Sequence, residues 1–253
     1  MSRRGFNAIL IMFTFTSILI IWELIAITGV VPTYLFPPPS KIALTFLHML
    51  ISGILMKEYL RTFIRVLTGF FIGSLVGLLV GLGISCTRLL KSITYPLIAI
   101  AATIPTVALV PLLIIWVGVN EILPIVAVII CSSIPIIYSI VSSSKFIDPE
   151  VINVAKSLGA NSRYIVFNIL LPYSIPSILS ALKIEIAMAW KTCFVSEMLA
   201  MSSGLGYFMI IAQSTLRVDV MLVVVGILAI SCYVSQLIFE FLETYIAKKW
   251  GLR

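Results

Sequence analysis

The feature that most constrains this chain is a recurring apolar run of about 20 residues, the length at which a helix crosses the hydrocarbon of a bilayer. Such runs fall at about 7–28, 62–86, 94–118, 122–143, 173–199 and 221–245. Lipid offers no partner to a backbone N–H or C=O. A crossing chain must therefore close its hydrogen bonds within a helix or a sealed barrel. Barrel strands alternate apolar and polar side chains over roughly ten residues, which these runs do not. Composition agrees: 61% of the 253 residues are hydrophobic and 11% charged, where soluble domains are about a quarter charged. No water-facing surface can be covered with so few polar groups. The expected fold is all-α, a polytopic membrane protein with six transmembrane helices. Residues 1–61 read as an N-terminal anchor helix plus an outer interfacial helix. Residues 62–253 read as a core of five transmembrane helices with an inner loop at 144–171.

Charge orients the bundle. With the N-terminus inside, the inner segments carry ten Lys and Arg and the outer ones four, which places both termini on the cytoplasmic side. The net charge of +7 is then a topology signal, and no nucleic-acid partner is expected. The run after Ser2-Arg3-Arg4 is too long for a secretory h-region and lacks a small-residue cleavage site, so it reads as an uncleaved anchor. Outside, Leu35-Phe36-Pro37-Pro38-Pro39-Ser40 precedes a helix from Ile42 to Leu55 lying along the interface, with Ser40 as its expected N-cap. Gly69, Gly73, Gly77 and Gly81 fall every fourth residue in the second run, a smooth stripe that suits tight helix packing or a ligand or lipid groove.

The inner loop carries the most specific signal. It reads Asn153-Val154-Ala155-Lys156-Ser157-Leu158-Gly159, nine residues, then Ile169-Leu170-Leu171-Pro172. This resembles the EAA loop of ABC importer permeases: Glu-Ala-Ala, three residues, Gly, nine residues, Ile-x-Leu-Pro. The second Ala, Gly, Ile, Leu and Pro match in identity and spacing; Asn153 and Val154 stand where the pattern has Glu and Ala. The physics is intelligible without the family. Ala155 permits close approach to a docking partner, and Gly159 ends a helix by taking a positive φ without steric cost. Ile169, Leu171 and Pro172 set how the next helix enters the membrane. The likeness spans nearly the whole chain and is similar to the nitrate/sulfonate/taurine branch. The fragments that carry it are the Pro-rich turn, Arg65-Val66-Leu67-x-Gly69-Phe70, Ile104-Pro105, Pro111-Leu112, Trp116-x-Gly118, Trp190, Glu197 and Gly204-Leu205-Gly206.

That resemblance implies a type I importer permease fold and a non-catalytic membrane subunit forming the path for a small solute. The solute it implies is an anion such as a sulfonate, taurine or nitrate. Branch relatives that carry a thiamine precursor or riboflavin supply the alternative. It further implies a second permease copy in a homodimer, two ATP-binding subunits holding ATP and Mg, an external solute-binding protein, and a bacterial or archaeal cytoplasmic membrane. The chain itself has no GxxxxGK[ST] loop and not even a Gly-Lys pair.

Charges inside spans are costly and mark partners or pathways. The fifth run holds Lys183, Glu185, Lys191 and Glu197. At 100° per residue Lys183, Trp190 and Glu197 share one line, with Ala187 and Phe194 between. This stripe reads either as a pore lining, its cation passing an anion and its Trp gating, or as inter-helix salt bridging. Thr103, Pro105 and Pro111 break regular hydrogen bonding in the third run and complete the candidate pathway. An intramembrane hydrolase lacks a base, since the single His48 lies outside the runs. No His/Cys set has metal spacing. A stand-alone secondary transporter is the remaining rival.

Overall fold

The computed structural model describes residues 3–249. Eleven α-helices are found there: α1 Arg3–Ile27, α2 Pro39–Ile51, α3 Ile54–Ser85, α4 Arg88–Thr103, α5 Thr106–Val117, α6 Ile122–Ser143, α7 Pro149–Ser157, α8 Ser162–Ile165, α9 Leu171–Ala200, α10 Leu205–Ser214 and α11 Val218–Lys249. No strand occurs among the described residues, as the hydrogen-bond argument requires. Four helical stretches are individually long and apolar enough to cross a bilayer: α3, α6, the run from Ser162 to Ala200, and α11. The apolar part of α1 extends from Met12 to Ile27.

The third crossing differs from the single helix expected over 94–118. α4 and α5 are long enough only as a pair, and they bend by 95° at the break between them. The cause is local. Pro105 has no N–H to donate, and its ring pushes Ile104 into extended backbone (φ −74°, ψ 121°). Thr103 Oγ donates to the Ile100 carbonyl at 2.7 Å, covering a group that the interrupted helix leaves free. Pro96, Pro111, Pro135 and Pro176 sit inside helices that continue past them, so proline count alone does not locate the bend. The six-run reading thus becomes four unbroken crossings, one bent pair and α1.

α3 packs along α6, α6 along α9, and α9 along α11. The glycine stripe explains the first contact. A Cβ at Gly69 would lie 2.6 Å from Val128 Cβ, and one at Gly73 2.7 Å from the Ile129 carbonyl oxygen. The stripe is therefore a packing seam. The apolar interior forms a ladder down the bundle. At the end nearest α10 Leu55, Phe194, Leu205 and Val224 cluster. In the middle lie Phe70, Val128, Ile186 and Trp190. Leu82, Ile136, Ile140 and Ile178 follow at the end nearest the 144–171 loop.

The outer helix starts at Pro39, so Ser40 is inside it and caps nothing itself. Instead Glu23 of α1 accepts from the Ser40 N–H at 3.0 Å and from its hydroxyl at 2.7 Å. A carboxylate at a helix N-terminus meets both free N–H groups and the favourable end of the dipole. At its other side α2 is tied to the start of α11 by Thr45 Oγ donating to Asp219 at 2.8 Å. Asp219 also pairs with Arg217 at 2.9 Å.

Candidate functional site

The inner loop folds into a capped helix and a long rod. α7 opens with Asp148 accepting from the Glu150 N–H at 2.9 Å and Pro149 in the first turn. It closes with the Ala160 N–H on the Ala155 carbonyl and the Gly159 N–H on the Lys156 carbonyl, both 2.9 Å. Gly159 sits at φ +86°, the left-handed conformation this closure demands. Asn161 then caps α8 through the Tyr164 N–H at 2.8 Å.

From Ser162 the helix runs without a stop to Ala200, through a single π turn at Val166–Leu170. Pro172 gives the reason. It supplies no N–H to the 168 carbonyl and crowds it, and the widened turn, with the Leu171 N–H on the Val166 carbonyl, makes room. The run from Ile169 to Pro172 therefore lies inside the rod, and no joint separates it from α9.

One face of α7 is left bare. Val151, Val154 and Leu158, one helical stripe, are 49%, 59% and 84% exposed. With Ala155, Tyr164 and Ile169 they line a hollow of about 480 Å³. Asn153, Lys156, Ser157 and Gly159 are exposed around it. The opposite side of the hairpin is sealed by Ile147, Ile165 and Leu170.

The stripe predicted on α9 lies inside the bundle. Ala187, Trp190, Phe194 and Glu197 are all buried. Trp190 donates from Nε1 to Ser235 Oγ at 3.0 Å and stacks on Tyr59 at 5.9 Å between centroids. Lys183 pairs with Glu243 of α11 at 2.7 Å, and Ser180 donates to the other oxygen of that carboxylate at 2.8 Å. Glu185 is buried on the side toward α6, where Cys131 Sγ lies 3.8 Å from its carboxylate. These contacts are those of the inter-helix alternative. Thr103 and Pro105, by contrast, are exposed.

Glu197 belongs to a network that sequence reasoning did not assemble. Arg65 donates from Nη1 to Glu197 at 2.7 Å and to the Ser203 carbonyl at 3.0 Å. Its Nη2 reaches Ser203 Oγ at 2.6 Å and also pairs with Glu121. Thr62 Oγ donates to Glu197 at 2.8 Å and accepts from the Leu205 N–H at 2.9 Å. The Gly206 N–H donates to Glu197 at 3.0 Å, and the Gly204 N–H to Glu58 at 2.6 Å. Glu58, Thr62 and Arg65 are spaced four and three apart, one face of α3. That spacing was visible; what it clasps, the 201–206 turn, was not.

A bundle of membrane-crossing helices with a polar, capped hairpin on one side and an ion-paired turn on the other has the organisation of a transport subunit driven from outside itself. The sequence family described as binding-protein-dependent transport system inner membrane component matches residues 69–250. The chain belongs to that family, the membrane subunits of ABC importers, which perform no catalysis themselves. It is 25% identical to the taurine transport system permease protein TauC of Escherichia coli K12, over 88% of this chain and 83% of that protein. It is 31% identical to a protein of Methanocaldococcus jannaschii named as an ABC transporter permease, over 83% of this chain and 82% of the other. A Bacillus subtilis protein named as an aliphatic sulfonates transport permease is 26% identical, over 78% and 71%. Among solved structures, the inward-facing MetNI methionine ABC transporter aligns with TM-score 0.63 and 20% identity, covering 76% of this chain and 95% of that one. An amino acid ABC transporter with histidines gives 0.59 and 22%, covering 81% and 98%.

Proposed function

We propose that this chain is one half of the translocation path of an ATP-driven importer of small organic sulfonates, taurine among them, and that α7 is where the motor pushes. The observation that carries the coupling reading is the bare apolar stripe Val151, Val154 and Leu158 at the foot of a helix continuous to Ala200. Water leaves such a stripe for a complementary cleft, and a rod without a joint passes the push across the bilayer. Val154, in place of the pattern's small residue, adds apolar area to this face. Asn153 offers a neutral polar contact where the pattern has a carboxylate.

The relatives named for taurine and aliphatic sulfonates support the substrate class. They lend nothing to a thiamine precursor or riboflavin. In this reading two copies of the chain form a homodimer, and two ATP-binding subunits carrying ATP and Mg dock on the two α7 helices. An external binding protein delivers the solute. Both termini are cytoplasmic, residues 1–61 form a peripheral anchor, and 62–253 form the transport core. The pathway runs along surfaces the single chain leaves uncovered, Thr103 and Pro105 among them.

Gly159→Asp tests the coupling site. The substitution puts a side chain on a left-handed backbone at the end of α7 and should leave the permease in the membrane while abolishing co-purification of the ATPase; undiminished co-purification refutes the assignment. Proteoliposomes holding the whole complex should take up labelled taurine only with binding protein and ATP present. Uptake without any ATPase would establish a secondary transporter instead.

A further inference from the structure

The geometry points to Lys191 as the side chain that meets the negative group of the solute midway through the membrane. This inference rests on the reading of the chain as half of an anion pathway. Ile184, Met188, Lys191 and Leu199 are the exposed residues along the outer half of α9. At 100° per residue they fall on one stripe. Their neighbours Glu185, Ala187, Trp190 and Thr192 are buried, so α9 turns one narrow face out of the chain's own packing, and a single charge stands on it.

That charge is placed where lipid does not accept it. By the 1.5 Å rise per residue, Lys191 lies about 14 Å below Ala200 at the outer end of α9. The lysine stem, roughly 6 Å long, does not climb from there to the interface. Lys183, the cation expected to face the solute, is held by Glu243. Arg65 is held by Glu121 and Glu197. Among the described residues Lys191 has no carboxylate partner. An unpaired ammonium at this depth faces water or an anion.

A second copy related by a two-fold axis would present the same face. It would bring a second Lys191, not a carboxylate, so the repulsion between the two is relieved by an anion entering from solution. A sulfonate, charged at all physiological pH values and rich in acceptor oxygens, is the chemical fit. Apolar Ile184, Met188 and Leu199 line the approach and give the anion no second place to stop, which keeps binding weak enough for release.

The test uses the complete transporter in liposomes with its binding protein, ATP and labelled taurine. Lys191→Gln should lower the initial uptake rate at least tenfold, and Lys191→Arg should keep most of it. Basal ATPase activity should stay within twofold in both, since α7 is untouched. In a background with the four native cysteines replaced, Lys191→Cys should react with water-borne methanethiosulfonates. The aminoethyl reagent, which rebuilds a cation, should restore uptake, and the sulfonatoethyl reagent should not. Wild-type uptake in Lys191→Gln, or a Lys191→Cys inert to both reagents, overturns the proposal. A wild-type complex that ignores taurine would instead defeat the substrate reading, and cysteine reactivity would still decide whether Lys191 lines the path.

Discussion

Arg65 is the side chain through which α3 holds the 201–206 turn and the end of α9. Its guanidinium is almost wholly buried and serves Glu121, Glu197 and both polar groups of Ser203. Glu197, fully buried, is neutralised by Arg65 and accepts from two further donors, the Thr62 hydroxyl and the Gly206 N–H. Removing one member of such a pair leaves the other charged without compensation, a loss of about 3–5 kcal/mol. Arg65→Met should therefore lower the unfolding temperature in detergent sharply. Glu197→Gln should cost less, because Arg65 keeps Glu121 and the amide still accepts from Thr62. Equal losses in a thermal-shift assay would show that the network does not distribute charge in this way. The residue types were legible in the sequence, since charges within apolar runs demand partners. Which partner each takes depended on helix rotation: Lys183 and Trp190 bond to α11, and Glu197 to Arg65 of α3.

At the scale of elements, the α3–α6 seam sets how close two crossings come. The glycines are not equivalent. At Gly73 an added Cβ meets the Ile129 backbone at 2.7 Å, at Gly81 it meets the flexible end of Ile140 at 3.0 Å, and at Gly83 it meets nothing within 4 Å. Backbone cannot yield as a side chain can. Gly73→Ala should destabilise by about 1–3 kcal/mol, Gly81→Ala by less, while Gly83→Ala should be neutral or gain up to about 1 kcal/mol from helix propensity. Melting temperatures of the three purified variants rank them; a Gly73→Ala variant as stable as Gly83→Ala would contradict the seam. The bend at Pro105 belongs to this scale too. Six prolines fall in apolar runs between 94 and 176, Pro96, Pro105, Pro111, Pro124, Pro135 and Pro176, and only at Pro105 does the helix break. Pro105 follows Ile104 in extended backbone and Thr103 already bonded to the Ile100 carbonyl, so both sides of the break are satisfied.

At the scale of the molecule, the rod from Ser162 to Ala200 links the bare face of α7 to the clasp around Glu197. In the proposed coupling, a displacement of the hairpin would be delivered to the turn at 201–206 through side chains that are buried and hydrogen-bonded at the far end of the rod. This requires that α7 and α10 lie on opposite sides of the membrane. Ser157→Cys and Ser214→Cys, both at exposed positions, should be labelled by an impermeant maleimide from opposite sides, the first in inverted vesicles and the second in intact spheroplasts. Labelling of both from one side would remove the basis for coupling.

What the amino-acid sequence determined by itself is the solvent and the class. Apolar runs of crossing length exclude every fold but a helical bundle in lipid, because backbone hydrogen bonds there have no other outlet. The Gly-nine-Ile-x-Leu-Pro spacing located the capped hairpin and its run into α9, because caps and breakers act over a few residues and leave a local signature. Tertiary structure alone decided which face of each helix is covered. That choice depends on the rotation and depth at which neighbours pack, a quantity no single run encodes. It turned Lys183, Trp190 and Glu197 inward and left Lys191 facing out.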